Sequence, residues 1–182
     1  MQNDPKLASS IFEFTANDID GNPVPLNKYK GCVCLIVNVA SLCGLSETNF
    51  TQLEELYKMY SEKGLRILAF PSNQFAKQEP GTAQEIKKRI MEKFSITFDL
   101  FEKVNVNGED AHPLYKFLQK AVPGTLINAI KWNYTKFLTD RNGIPVKRYA
   151  PTTAPMICTD NGTYGDGARN SGLTGKTLTA NR

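Results

Sequence analysis

The stretch "NVASLCGLSETNF", residues 38–50, places a thiol where an apolar run breaks into a small turn and a helical pattern begins. A cysteine acts as a nucleophile in its thiolate form, and the free N–H groups and dipole of a helix N-terminus favour that anion. Cys43 stands at the C-terminal end of the apolar run and at the mouth of the following helix, with Gly44 next and Ser46, a helix-capping residue type, three positions on. In open α/β sheets this crevice is where ligands bind. A free cysteine is more often a small buried hydrophobe; the placement of Cys43 at a helix start weighs against that bland reading.

The remaining candidates are weaker. Cys32 and Cys34 lie two apart in the apolar run, share a face, and read as packed core thiols. Cys158 falls in a polar C-terminal stretch, where exposure would make it a reactive spectator. There is no C-x-x-C, so dithiol exchange lacks its second sulfur. The one histidine, His112 in "DAHPL", precedes a proline-led helix and reads as a cap or surface group, which makes a Cys43–His112 hydrolase pair a distant third reading.

The elements that must hold Cys43 follow from periodicity and turn signals. "IFEFTANDIDGNPVPLNKY" predicts an N-terminal β-hairpin turning at Asp20, Gly21 and Asn22. "CVCLIVNVAS" is a near-continuous β-branched run, as expected of a strand covered on both faces. From Glu47 the apolar residues Phe50, Leu53, Leu56, Tyr57 and Tyr60 recur at helical spacing, and Gly64 ends the helix. "LRILAFP" is a second buried strand, followed by the polar loop "SNQFAKQEPG" and a helix from about Thr82 to Phe94. "FDLFEKVNVNG" reads as extended up to a turn at Asn107 and Gly108, "HPLYKFLQKAV" as a short helix entered through Pro113, and "KFLTDRNGIPVKRYA" as a hairpin about Asn142 and Gly143. Strands alternating with helices predict an α/β layer structure with a βαβ crossover.

The 182 residues suit one domain with a real core, expected over 1–151, with 152–182 as a polar tail rich in Thr, Gly and Asn and without convincing periodicity. Its "GLTGKT" imitates a phosphate loop, but Asn170 stands where that motif needs its first glycine. A hydrophobic share of 41% and a net charge of +4 fit a soluble globular chain, and with no dense Lys/Arg block a nucleic-acid partner is not expected. No signal peptide or membrane-length apolar run is read, so the expected compartment is cytoplasmic. There the sequons at Asn49, Asn133 and Asn161 carry no meaning, and the four cysteines are free thiols.

Three blocks, "NVASLCG", "LAFPSNQFAKQEPG" and "NAIKWNYTKF", occur in order within a match running from about Phe12 to Pro151. They resemble the signature blocks of the glutathione peroxidase family, in particular its monomeric, phospholipid-hydroperoxide type. The resemblance implies a thioredoxin-like fold, a central mixed sheet flanked by helices with the hairpin at its N-terminus. It also implies a catalytic tetrad of Cys43, Gln78, Trp132 and Asn133, the first at a position often occupied by selenocysteine in this type. An indole N–H and amide NH₂ groups are neutral donors, and hydrogen bonds to a charged form favour it.

The reaction so implied reduces lipid and organic hydroperoxides, and hydrogen peroxide, through a Cys43 sulfenic acid, with glutathione as reducing co-substrate and no resident cofactor or metal. Met91 stands where thioredoxin-dependent members carry a resolving cysteine, which disfavours two-cysteine recycling. The insertion of tetrameric members is absent, implying a monomer with an open site. Lys131 and Arg148 match basic residues that could hold glutathione carboxylates or lipid phosphates, with peripheral contact to phospholipid membranes. The tail departs from the apolar helix that usually closes the family fold. The rival reading is a non-catalytic redox sensor relaying oxidation from Cys43 as a mixed disulfide.

Overall fold

The computed structural model describes residues 4–159. The "GLTGKT" stretch and Asn161 lie outside them.

The N-terminal hairpin forms as expected. β1 (Thr15–Asn17) pairs antiparallel with β2 (Pro23–Pro25) across a turn in which the Asp18 carboxylate accepts from the backbone N–H groups of Asp20 and Asn22. The main sheet has five strands: β3 (Val33–Val39), β4 (Leu65–Pro71), the two-residue β5 (Asp99–Leu100), β6 (Lys136–Thr139) and β7 (Pro145–Tyr149). In space the order is β5-β4-β3-β6-β7. β3, β4 and β5 run parallel, and β6 and β7 are antiparallel to their neighbours, so the sheet is mixed.

α1 (Ser46–Tyr60) crosses between β3 and β4, α2 (Ala83–Phe94) precedes β5, and α3 (Pro113–Ala121) precedes β6. Every residue of β3 is buried, which accounts for its near-continuous apolar run, broken only by the buried Asn38. Its side chains alternate between two cores. Val33, Leu35, Val37 and Val39 join Phe50, Leu53 and Leu56 of α1 and Ile86 and Ile90 of α2. Cys34 and Ile36 join Leu114, Tyr115 and Leu118 of α3 together with Ile11 and Leu26 near the hairpin. The result is three layers, with helices on both faces of the sheet.

Local signals fix the helix ends. Thr82 and Glu85 form a reciprocal capping box at the start of α2. α1 passes into a 3₁₀ turn (Ser61–Lys63), and Gly64, at φ +92°, then reverses the chain into β4.

Four expectations are corrected. Ser46 does not cap α1; it is the first helical residue, and Leu45 occupies the cap position without a side-chain hydrogen bond. Cys32 lies one residue before β3 and is only half-buried, so the core thiol of that pair is Cys34 alone. "FDLFEKVNVNG" contributes only the short β5, with irregular chain after it. Cys158 is fully buried rather than exposed.

The physical reason for the last is a 3₁₀ turn (Pro155–Thr159) laid against α1. The Met156 N–H donates to Gln52 Oε1 at 3.3 Å, and the Tyr149 hydroxyl donates to the Cys158 carbonyl at 3.2 Å. Beneath them Lys136 Nζ donates to the carbonyls of Thr153 at 2.8 Å and Pro151 at 3.3 Å. Packed structure therefore continues past residue 151, and burial pushes the Cys158 thiol up to about 11.

Candidate active site

Cys43 follows the C-terminal end of β3 in a tight turn: its N–H donates to the Ala40 carbonyl, and its own carbonyl accepts from Ser46 N–H at the start of α1. The residue is 5% exposed, between the exposed Leu42 and Gly44, so the turn lies at the surface while its thiol-bearing residue is almost covered.

The loop after β4 brings Gln78 to this turn. Ala76 and Lys77 both adopt left-handed backbone (φ +50° and +53°), a conformation that non-glycine residues hold only when their surroundings enforce it. The enforcing contacts are at hand. Gln78 O accepts from Leu42 N–H at 3.1 Å, one residue before Cys43, and Glu79 N–H donates to Asn73 Oδ1 at 2.9 Å.

The segment before β6 brings the other two candidates. Asn133 is fully buried and its Nδ2 donates to Gln78 Oε1 at 2.9 Å. With that oxygen occupied, Gln78 Nε2 and the Trp132 indole N–H have no hydrogen-bond acceptor among the described residues. Trp132 is 38% exposed and its ring packs on Phe75 at a centroid distance of 5.8 Å.

Tyr134, also left-handed (φ +64°), turns this segment into β6. Its N–H donates to Asn38 O and its hydroxyl to Ala40 O, both at 2.7 Å. Ala40 O thus accepts from both Tyr134 and Cys43, tying the two segments at one carbonyl. Burial pushes the Tyr134 phenol well above its ordinary value, with the neighbouring Cys43 a smaller cause in the same direction, so it remains a donor.

The two basic candidates separate. Arg148 is committed to the fold: Nη1 donates to Asn128 O at 2.7 Å, Nη2 to Ala129 O at 2.9 Å, and the guanidinium lies over the Phe137 ring. Lys131 is exposed and donates to Thr125 O at 3.1 Å. Both line a cavity of about 310 Å³ that also takes in Lys147 and has no carboxylate in its wall. His112 caps α3, accepting from Leu114 N–H at 3.2 Å beside Phe70, and has no contact with Cys43; burial holds its imidazole below the usual range. Met91 is exposed on α2. Among the described residues, no group of three or more His, Cys, Asp or Glu could hold a metal ion, and no helix is long and apolar enough to cross a membrane.

Sequence reasoning passed over Glu79, Ser41 and Arg89. Glu79 is a fully buried carboxylate directly after Gln78. It accepts from Ser41 N–H at 2.7 Å and Ser41 Oγ at 2.6 Å, while Arg89 of α2 donates to Ser41 Oγ at 2.7 Å and to Glu79 at 3.2 Å. Burial raises the Glu79 carboxyl from its ordinary value, opposed by the Ser41 and Arg89 hydrogen bonds. In "AKQEPG" nothing separates a buried glutamate from a solvated one.

A family model described as "Glutathione peroxidase" matches residues 11–119, which include Cys43 and Gln78. The chain belongs to the glutathione peroxidase family. It is 56% identical over 155 residues to a glutathione peroxidase of Schistosoma mansoni, covering 85% of this chain and 92% of that one. It is 54% identical over 158 residues to the phospholipid hydroperoxide glutathione peroxidase of Callithrix jacchus, covering 86% and 80%. Among solved structures, T. cruzi GPX1 superposes with a TM-score of 0.73 at 37% identity, covering 88% of this chain and 99% of that one. A thioredoxin family protein from Chlorobium tepidum superposes with a TM-score of 0.57 at 16% identity over 78% and 84% of the two chains, a likeness of fold alone. The fold is thioredoxin-like, and this glutathione peroxidase family member is a thiol-dependent peroxidase, an oxidoreductase acting on peroxide.

Proposed function

We propose that this chain reduces organic and lipid hydroperoxides, and hydrogen peroxide, with glutathione as electron donor, and that Cys43, Gln78, Trp132 and Asn133 do the chemistry. The supporting observation is the hydrogen bond from Asn133 Nδ2 to Gln78 Oε1, made while Gln78 O holds Leu42 N–H. It joins two loops far apart in sequence beside the Cys43 turn, and it directs the amide of Gln78 so that its oxygen is occupied and its NH₂ has no acceptor among the described residues. Together with the uncommitted indole N–H, this supplies neutral donors for a sulfur anion, with no competing base.

The Cys43 thiolate attacks one oxygen of the hydroperoxide, and the O–O bond breaks. The alkoxide takes a proton and leaves as the alcohol, and the sulfur is left as a sulfenic acid. Glutathione thiolate attacks that sulfur and water departs; a second glutathione attacks the mixed disulfide, releasing oxidised glutathione and the Cys43 thiol. No resident cofactor or metal enters this scheme. Met91, in place of a thiol on α2, supports glutathione rather than an internal dithiol as reductant. Leu42 at 54% and Trp132 at 38% exposure border an open site, which suits a bulky lipid peroxide and a monomer acting at a phospholipid surface. Lys131 and Lys147, both exposed in the wall of that cavity, are the cations that would meet glutathione carboxylates or lipid phosphates, whereas Arg148 serves mainly by holding the wall they stand in.

The test is peroxide consumption in a coupled glutathione assay. Cys43→Ser is expected to abolish it; a variant consuming peroxide at the unaltered rate overturns the proposal. Multiple turnovers with glutathione alone separate the enzyme from a redox sensor that oxidises once.

A further inference from the structure

Glu79 is a carboxylate with no exposed surface, in a loop that could have presented it to water. Burying such a group is costly, and replacing a buried ionic cluster by apolar side chains is often neutral or stabilising, so stability alone does not account for it. Its geometry does. Oε2 takes the Ser41 N–H, and Oε1 takes the Ser41 hydroxyl and Arg89 Nη2. The ring closes through Arg89 Nε, which donates to the same Ser41 Oγ, while Arg89 Nη2 also reaches Pro80 O at 2.7 Å. On the outer side Lys103 Nζ donates to Gly81 O at 2.7 Å.

Ser41 is two residues before Cys43, and Glu79 is the residue after Gln78. With the adjoining bond from Leu42 N–H to Gln78 O, two consecutive residues of the thiol turn are locked to two consecutive residues of the Gln78 loop. We propose that Glu79 is a positioning residue for peroxide reduction: its buried carboxylate, held by Ser41 and Arg89, sets the register between the Cys43 turn and the amide of Gln78. Both carboxylate oxygens must accept. A glutamine of the same shape turns one of those acceptors into a donor facing the Ser41 N–H or the Arg89 guanidinium, so the register shifts with little change in volume.

This inference rests on the peroxidase reading above, and the two half-reactions separate it from a loss of folding. Oxidation of Cys43 by peroxide depends on the Gln78 amide, whereas reduction of the sulfenic acid depends on glutathione binding on the Lys131 side. In single-turnover stopped flow, read through the fluorescence of the sole tryptophan Trp132, Glu79→Gln is expected to slow oxidation about tenfold or more while the glutathione step stays within about twofold. Ser41→Ala keeps the backbone link to Glu79 and loses only the hydroxyl, so it slows the same step by less; it carries the test if Glu79→Gln does not fold. Oxidation rates within about twofold of the unaltered chain in both variants overturn the proposal, as does an equal fall in both half-reactions. An unaltered chain that shows no oxidation at Cys43 and no glutathione turnover refutes the peroxidase reading itself, and this inference with it.

Discussion

Lys136→Met removes a positive charge that the fold has taken wholly out of water. Lys136 opens β6 with no exposed surface, its ammonium held by the Thr153 and Pro151 carbonyls, and burial brings it down to about 8 from 10.5, with the neighbouring Cys158 opposing. Below pH 8 the group is charged whether the chain is folded or not, and the folded state bears the full cost of burial. Between pH 8 and 10.5 the unfolded chain holds the proton that the folded chain has released, so stability rises with pH; above 10.5 both forms are neutral and the cost is gone. The interval from 10.5 down to about 8 is worth about 3 kcal/mol.

Other groups titrate nearby. Cys34 and Cys158 are raised by burial to about 12 and about 11, and such thiols lower stability once the unfolded chain begins to ionise near pH 9. Cys34 is present in both proteins and cancels in the difference; Cys158 loses in the variant the Lys136 charge that lowers it, which pushes its thiol further up and weakens the variant on the alkaline side, in the same direction as the lysine effect. Methionine keeps most of the stem volume; the two carbonyls lose a donor, a pH-independent cost of about 1 kcal/mol each. Urea unfolding under reducing conditions, followed by Trp132 fluorescence, is expected to show the unaltered chain gaining about 3 kcal/mol on Lys136→Met between pH 7 and 10.5. A difference that stays flat, or moves toward the variant, would refute the reasoning.

Two further outcomes concern the walls of the site. Phe50 is fully buried, stacked on Phe94 at 4.5 Å and edge-on to Tyr134 at 6.0 Å, so Phe50→Ala is expected to cost about 3–5 kcal/mol in denaturant unfolding and to slow peroxide reduction by loosening Tyr134. Arg148→Ala frees the carbonyls of Asn128 and Ala129, and faster amide exchange is expected across residues 123–130; Arg148→Lys does not restore protection, because an ammonium lacks the guanidinium fork.

Much of the fold was legible because its signals are local. Gly64 and Gly143 take the positive φ their turns require, Thr82 and Glu85 cap α2 reciprocally, and β3 reads as a doubly covered strand from seven buried residues in a row. Cys158 was misread because the short run "PMIC" has too few apolar residues to show a period, yet enough to fill a gap over α1. Ser46 was misread because capping depends on backbone geometry at one position, which Leu45 occupies. The site divides in the same way. Cys43 announces itself by standing between strand and helix, and the other three residues of the proposed tetrad, Gln78, Trp132 and Asn133, came from resemblance. Glu79 and Lys136 stayed hidden because a charged residue reads as solvated until its partners, Arg89 for one and the Thr153 carbonyl for the other, are brought to it by the fold.

The three segments that meet at the Cys43 turn are centred on residues 43, 78 and 133. During synthesis the cysteine leaves the ribosome long before the last of them exists. A growing chain therefore carries Cys43 before Gln78, Trp132 and Asn133 have been made, and the hydrogen bond from Asn133 to Gln78 forms only once residue 133 is present. The surroundings of Cys43 are thus a property of the nearly finished chain, set by contacts whose last partner is made some ninety residues after the thiol.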